Sequence, residues 1–510
     1  MYYGQEQRWA DEAELLKPVL HHRMVQAHAM VQPEESASAW QNWCIRRIGS
    51  PADFYGQELG QCTEVIFDFG EYCVGTPVLQ FAFSGRNDSP LRIEYKLAET
   101  PLELAFDFEQ YQTPPGWLSR AWLQDGVVVL DENTATVRLP RRYAFRYMKL
   151  KMYLSLYAKT RMLSAACDCT TSADWSALCE PAEKGDALDQ EIRRIGVKTL
   201  ACCMQDFYED GPKRDRRLWL GDLRLQMMAD AHVFRNFQLA KRCLLLFAAA
   251  ATPEEGRVAG SLYPAKPLPL ADQDLFDYTV LFGDILLDYV THSGDTALGL
   301  DLLPVAVRQS RLALQEVKDD CFCDFKRHWL FIDWKEGLEH ECAEHGVVLY
   351  SLIRTLALAR KLGREELVSD FPETIGRLKQ AGIRKWFDRE KGFFVDNGQI
   401  SWAAQIWAAY GEMLPPEETR QMLLRVMKDA SALRPGGPYL HNQMVIVLEK
   451  YGLHGEARRL IRDYWGKMVE LGADTFWEIF DPAQPFLSPY GQAVLNSHCH
   501  AWSTPVSLQI

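Results

Sequence analysis

The hydrophobic period of this chain changes once, near residue 170, and nothing else in the sequence constrains the fold as strongly. From about residue 60 apolar side chains recur at every second position. Leu91, Ile93 and Tyr95 alternate with Arg92, Glu94 and Lys96, and Met148, Leu150, Met152 and Leu154 alternate with Tyr147, Lys149, Lys151 and Tyr153. A period of two sends successive side chains to opposite faces, the mark of strands with one buried and one wet face. Turn-forming clusters separate the runs, at Ser84-Gly85-Arg86-Asn87, Pro114-Pro115-Gly116 and Asp131-Glu132-Asn133. Short alternating strands parted by turns predict an antiparallel β-sandwich.

After Thr170-Thr171-Ser172 the period is helical. Leu349, Leu352, Ile353, Leu356 and Ala359 form one stripe that runs into Arg360-Lys361-Leu362-Gly363, a cationic last turn with a glycine stop. Similar stretches are Gly185–Phe207, Leu223–Asn236, Leu239–Ala251, Asp274–Val290, Ala297–Val317, Gly346–Leu362, Arg364–Trp386, Trp402–Glu412, Glu417–Lys428, Tyr439–Tyr451, Gly455–Leu471 and Val494–Val506. These are about twelve helices, and their short links make them hairpins. Hairpins closed in a ring form an (α/α)6 barrel; a helical solenoid is the alternative, but no fixed sequence period supports it. The expected organisation is an N-terminal extension over 1–40, with an amphipathic stretch around Ala13 to Val25, a β-sandwich over 41–175 and a helical domain over 176–510. A chain of 510 residues is long enough for two cores.

The net charge of −13 argues against nucleic acid or an anionic membrane as partner. The most apolar run, Leu244 to Ala251, is too short to span a bilayer and reads as a core helix. Met1-Tyr2-Tyr3-Gly4-Gln5-Glu6-Gln7-Arg8 has neither the basic start nor the apolar region of a secretion signal. The thirteen cysteines are scattered, and neither Cys167-x-Cys169 nor Cys321-x-Cys323 has zinc-site spacing. Reduced thiols in a cytoplasmic protein are the expectation. A homo-oligomer is left open.

Residues 210–222, Asp-Gly-Pro-Lys-Arg-Asp-Arg-Arg-Leu-Trp-Leu-Gly-Asp, carry the chemistry. Asp210, Asp215 and Asp222 share this stretch with Arg214, Arg216, Arg217 and Trp219. Carboxylates and guanidinium groups bond vicinal hydroxyls in pairs, and an indole covers the C–H face of a sugar ring. A solvated, salt-bridged loop is the plainer reading, but Gly211-Pro212 imposes a turn and Trp219 gains nothing from sitting among surface charges. The ligand class is polyhydroxylated.

The stretch resembles the signature Asp-Cys-Pro-x-Arg-Asp-Glu-Arg-Leu-Gly-Trp-x-Gly-Asp of bacterial α-L-rhamnosidases of glycoside hydrolase family 78. Asp210, Pro212, Arg214, Asp215, Arg217, Leu218, Trp219, Gly221 and Asp222 match, with one residue deleted before the Trp. In this alignment Arg216 stands where the family carries its general-acid Glu. Val65 to Glu71 and Arg142 to Tyr147 also look like the sandwich that precedes the catalytic domain in that family. Further segments resemble the family pattern in order. Phe331-Ile332-Asp333-Trp334 looks like its Gly-Asp-Trp segment, which carries over Trp334 with Asp333 beside it. Gly472 to Glu478 looks like its Thr-Thr-x-Trp-Glu segment, which carries over Trp477 and makes Glu478 the general base. Asn496 to Trp502 looks like its Ser-x-x-His segment, with His498 preferred to His500 and Trp502 nearby. Leu275-Phe276-Asp277 stands at a Trp-x-Asp position, making Phe276 a stacking wall.

The resemblance implies a β-sandwich followed by an (α/α)6 barrel, and hydrolysis of α-L-rhamnosides; no motif in the chain requires a metal or organic cofactor. Inversion needs an ionised carboxylate to activate water and a protonated one to release the leaving oxygen. Glu478 suits the first role. Arginine cannot donate a proton at neutral pH, so Asp215 or Asp222 is the expected acid, with Asp210, Glu209 and Glu336 further out. Arg216 would suit an acidic aglycone. A sugar-binding protein that has lost hydrolysis and an eliminating enzyme are the competing readings.

Overall fold

In the computed structural model, described over residues 6–85, 90–112, 118–130, 134–155, 158–181, 185–252, 255–265, 275–324 and 328–506, the change of period is a change of architecture. Helix α1 (Glu6–Leu15) precedes strands β1 (His21–Gln26), β2 (Ala29–Glu35), β3 (Trp43–Gly49), β4 (Cys62–Gly85), β5 (Leu91–Ala98), β6 (Asp125–Leu130), β7 (Thr136–Arg138), β8 (Tyr143–Tyr153) and β9 (Ala158–Thr171), with single-turn helices α2 (Pro51–Phe54) and α3 (Pro101–Ala105) between strands. These nine strands pair antiparallel in the order β1-β9-β4-β8-β5-β6, with β2 joining β3 to β4 and β7 added to β4. The long β4 links the two halves of the sheet. Its first half pairs with β8, its second with β9, and its register against β8 shifts between Asp68 and Cys73. Met148, Leu150 and Met152 are fully buried, as their alternation predicts, and pack with Phe67, Leu79, Ile93 and Phe145 in one core. The turn clusters at Arg86-Asn87, Pro114-Pro115-Gly116 and Asp131-Glu132-Asn133, and Asp274 at the start of one expected helix, lie outside the described residues.

The helical part comprises α4 (Ala187–Cys203), α5 (Leu220–Asp230), α6 (Phe237–Ala249), α7 (Phe276–Thr279), α8 (Phe282–Ser293), α9 (Thr296–Ala313), α10 (Glu341–Lys361), α11 (Phe371–Trp386), α12 (Trp402–Tyr410), α13 (Pro416–Val426), α14 (Pro438–Lys450) and α15 (His454–Glu470). Packing runs from α4 through α5, α8, α10, α12, α14 and α15 back to α4, so the helices close a ring and do not form a solenoid. In the stripe that predicted α10, Leu349, Leu352 and Ala359 are buried. The ring is pinned by a buried polar network. Arg224 of α5 donates from Nε to Asp284 of α8 at 2.6 Å, from Nη1 to Gln443 of α14 at 2.6 Å and from Nη2 to Tyr350 of α10 at 3.2 Å.

The amphipathic stretch around Ala13 to Val25 is helical only as far as Leu15, because Pro18 disfavours helical backbone before it, and the chain then turns into β1. Two expectations are corrected. Residues 364–386 divide into a 3-10 turn (Glu365–Val368) and α11, with Pro372 in the first turn of α11. Val494–Val506 is not a helix but a buried loop with two 3-10 turns, Ala493–Leu495 and Ala501–Ser503. Its apolar residues are spaced by contact with the ring and with the β domain, and its amides bond elsewhere: His500 N–H donates to Phe476 and Ala501 N–H to Asp210.

The first forty residues serve both halves of the molecule. β1 and β2 belong to the sheet, while Trp9 and Ala13 of α1 are buried in the helical core.

Candidate active site

The segment between α4 and α5 folds back on itself. Gly211 lets it approach the C-terminal loop, since a Cβ there would meet Ser497 Oγ at 2.9 Å. Asp215 and Arg216 both take left-handed backbone, with φ of 57° and 52°. For residues other than glycine this costs about 1–3 kcal/mol each. The turn separates the two neighbours. Asp215 lines a cavity of about 210 Å3, together with Asp210, Arg214, Arg217, Asp222 and Glu478. Arg216 does not line it. Its charged neighbours are Arg142, Glu209 and Arg141, and burial with these arginines lowers its pKa to about 10. Glu209 is held by Arg142 at 2.6 and 2.8 Å.

Lys213 anchors the segment to the β domain. Its Nζ, 1% exposed, lies 3.2 Å from both Glu99 and Glu103 and donates to the carbonyls of Val494 and Asn496 at 3.0 Å. Burial would raise the Glu99 carboxyl, but Lys213 and His498 hold it at about 2, whereas burial leaves Glu103 raised.

The cavity walls are aromatic. Trp219, Trp329, Trp334 and Trp502 line it with Tyr278 and Phe331. Phe331 stacks on Trp502 at 5.9 Å and 19°, and meets Trp334 edge-on at 5.0 Å. Leu118 and Trp122, from the β domain, complete the wall. The space is below the roughly 300–1,000 Å3 of drug-sized ligand sites and suits one sugar ring.

The carboxyls differ in their electrostatic surroundings. Glu478 accepts from Arg214 Nη2 at 2.5 Å, Tyr490 Oη at 2.5 Å and Ser497 N–H at 3.0 Å. Burial alone would raise its pKa, but the Arg214 charge and these donors bring it below the ordinary carboxylate range. Arg214 is itself held over the Tyr490 ring at 4.0 Å. Burial pushes Asp222 well up, helped by the charges of Glu478 and Asp215. Asp210 is also well raised, by burial and then by Asp215 and Asp222. Burial raises Asp215 too, against the pull of Arg214. Its side chain is 23% exposed, against 3% for Asp222 and 5% for Asp210. His500 sits between these two, 3.8 Å from Asp210 and 3.6 Å from Asp222, and burial lowers its pKa to about 3. It is neutral at neutral pH.

Asp210, Asp215, Asp222, Arg214, Trp219, Trp334, Trp502 and Glu478 therefore meet in one cavity. Five expected residues do not line it. His498 faces the β domain, donating its N–H to Glu99 at 2.8 Å, and His500 takes the cavity position two residues on. Trp477 stacks on Trp40 at 5.2 Å. Phe276 is fully buried and packs on Phe322 and His328; Tyr278, one helical position beyond Asp277, lines the cavity instead. Asp333 accepts from Gly436 N–H, and burial raises it to about 7. Arg216 is turned away as described. Glu209 and Glu336 are also outside the lining. Tyr490, Trp329, Leu118 and Trp122 had no sequence signal, since each lies in a loop without periodicity and far in the chain from the signature. Among the described residues, no three His, Cys, Asp or Glu atoms in the cavity converge as ligands of one metal ion.

Residues 27–168 match the N-terminal domain of glycosyl hydrolase family 78 α-rhamnosidases. Residues 185–507 match the six-hairpin glycosidase domain of bacterial α-L-rhamnosidases. The fold is similar to that of a rhamnosidase from Klebsiella oxytoca with rhamnose bound, at 37% identity, 98% coverage of both chains and a TM-score of 0.92. It is also similar to the family 78 rhamnosidase of Bacillus sp. GL1, at 19% identity over 91% of this chain and 48% of that one, with a TM-score of 0.74. The α-L-rhamnosidase of Streptomyces avermitilis, complexed with L-rhamnose, gives 15% identity over 97% and 44% and a TM-score of 0.68. No curated protein matches the chain.

Proposed function

The chain belongs to glycoside hydrolase family 78, and on that premise we propose that it is an inverting α-L-rhamnosidase in which Glu478 activates water and Asp215 protonates the departing oxygen. The observation that carries this reading is the contrast between the two carboxyls of one cavity. Glu478 is kept ionised by Arg214 and its hydrogen-bond donors, and Asp215 is pushed towards its acid form. Hydrolysis by inversion needs that pair of states. Asp215 is preferred to Asp222 and Asp210 because it is the most exposed of the three, and the aglycone must leave through the open side. Glu478 removes a proton from the water that attacks the anomeric carbon, and Asp215 delivers one to the glycosidic oxygen as its bond breaks.

Asp210 and Asp222, whose pKa values burial raises, and neutral His500 offer donors and acceptors to ring hydroxyls, while the tryptophans cover the apolar face of the sugar. The rhamnose bound in the Klebsiella oxytoca structure supports a rhamnosyl group as the sugar held here. An acidic aglycone has no support from Arg216, which lies outside the lining. We also infer a reducing cytoplasmic setting, supported by thirteen cysteines that are all free thiols.

The test is steady-state kinetics on an aryl α-L-rhamnoside with a good leaving group and on a natural alkyl-type rhamnoside. Asp215→Asn is expected to lose activity mainly on the second. An equal loss on both substrates, or release of the retained anomer seen by NMR, overturns the assignment.

A further inference from the structure

We propose that Cys73, Cys167 and Cys169 form a tri-thiolate site for one soft d10 cation, zinc(II) or copper(I), on the paired strands β4 and β9 inside the β domain and outside the sugar cavity. The sequence spacing hides this group, because Cys73 lies on β4 and the other two on β9. Pairing brings them together. β4 and β9 run antiparallel with Gly75 opposite Cys169 and Pro77 opposite Cys167. Cys73 is two residues before Gly75, so all three side chains share one face of the pair.

Gly75 makes the approach close. A Cβ at that position would meet the Asp168 carbonyl oxygen at 2.2 Å and Cys169 Cα at 2.6 Å, so the strands are nearer than any side chain between them allows. The three Sγ atoms lie within 4.8 Å of one another. A metal–sulfur bond of about 2.3 Å puts the sulfurs of a trigonal site about 4 Å apart, so small side-chain rotations complete the shell. Among the described residues this is the one group of three His, Cys, Asp or Glu ligand atoms so close together.

The surroundings fit a bound ion. Cys73 and Cys167 are buried, and Cys169 is half-buried on the wall of a second cavity, of about 1050 Å3, between the sheet and the helical ring. Of the three, only Cys169 lines that cavity, so an ion would enter past it. Arg23 of β1 stands opposite Cys169 in the strand pairing and is bridged to Glu71 at 2.8 and 2.9 Å. Three thiolates with a divalent ion carry a net charge of −1, and Arg23 is the adjacent cation. Thiolate donors select zinc(II) or copper(I) and reject magnesium and calcium. Each coordinating thiol loses its proton to solvent on binding, so affinity rises with pH.

The experiment titrates the reduced full-length protein with zinc(II), and separately copper(I), against a chromophoric chelator. Cobalt(II) substitution reads sulfur-to-metal charge transfer. One equivalent of either ion is expected, with affinity weakened at least about 100-fold in Cys167→Ser and Cys169→Ser and unchanged in Cys202→Ser, outside the group. Absence of binding, or equal binding in wild type and both variants, overturns the proposal. If the serine variants fail to fold, wild type decides: bound ion is expected to protect Cys169 from iodoacetamide, mapped by mass spectrometry. Equal labelling with and without ion overturns it.

Discussion

Asp215 and Arg216 are adjacent in sequence, yet the left-handed turn puts one in the cavity and the other against Glu209. Their substitutions should behave differently. Glu478→Gln removes the base and keeps its shape, and is expected to lower kcat by about 10²–10⁴-fold with every leaving group. Asp215→Asn is expected to show a large loss on natural rhamnosides and a small one on activated aryl rhamnosides. Arg216→Lys should stay close to wild type on both. The pH profile follows from the same pair. Activity rises as pH climbs through the lowered pKa of Glu478, because the base must be ionised. It falls as pH climbs through the raised pKa of Asp215, because the acid must keep its proton. In Asp215→Asn the alkaline fall should vanish on aryl substrates, and its persistence would assign the limb to another group. The sequence showed the carboxylates of the signature but not their roles, since burial and Arg214, which set them apart, come from the fold.

At the scale of elements, the signature segment is held by a lysine. Lys213 reaches across to Glu99 and Glu103 and to carbonyls of the C-terminal loop. Lys213→Met leaves Glu99 as a buried charge without its cation, and should cost about 3–5 kcal/mol, read from equilibrium urea unfolding. Adding Glu99→Gln should recover part of that loss; no recovery would mean that Lys213 acts through packing alone. α10 was legible from its stripe because a helix between neighbours must bury that face. The Val494–Val506 loop was misread as a helix because burial of a loop also spaces apolar residues, and spacing says nothing about where the amides bond.

For the whole molecule, the cavity belongs to both domains. Leu118 and Trp122 close it from the β side, and Phe108, Tyr111, Leu118 and Leu123 pack with Ile479, Tyr490, Val494 and Leu495 in one interface core. Trp122→Ala is therefore expected to raise KM several-fold with a smaller change in kcat, the mark of binding that is shared by ground and transition states. Residues 176–510 expressed alone should be poorly soluble and inactive, because this apolar face is uncovered and Lys213 loses both partners. A soluble, active fragment would show that the β domain contributes nothing to the site.

The sequence by itself determined the two architectures and the ordered motifs. Period two and period 3.6 are local consequences of backbone geometry, and the signature residues are contiguous, so both survive in a one-dimensional string. Tertiary structure alone decided that His500 and not His498 enters the cavity, that Tyr278 replaces Phe276, and that Trp477 packs against Trp40. These choices depend on which face of a loop, or of the single-turn helix α7, meets which neighbour, and in segments too short for periodicity the direction of a side chain is set by distant contacts. The same holds for Cys73, Cys167 and Cys169, which strand pairing unites across most of a hundred residues of chain.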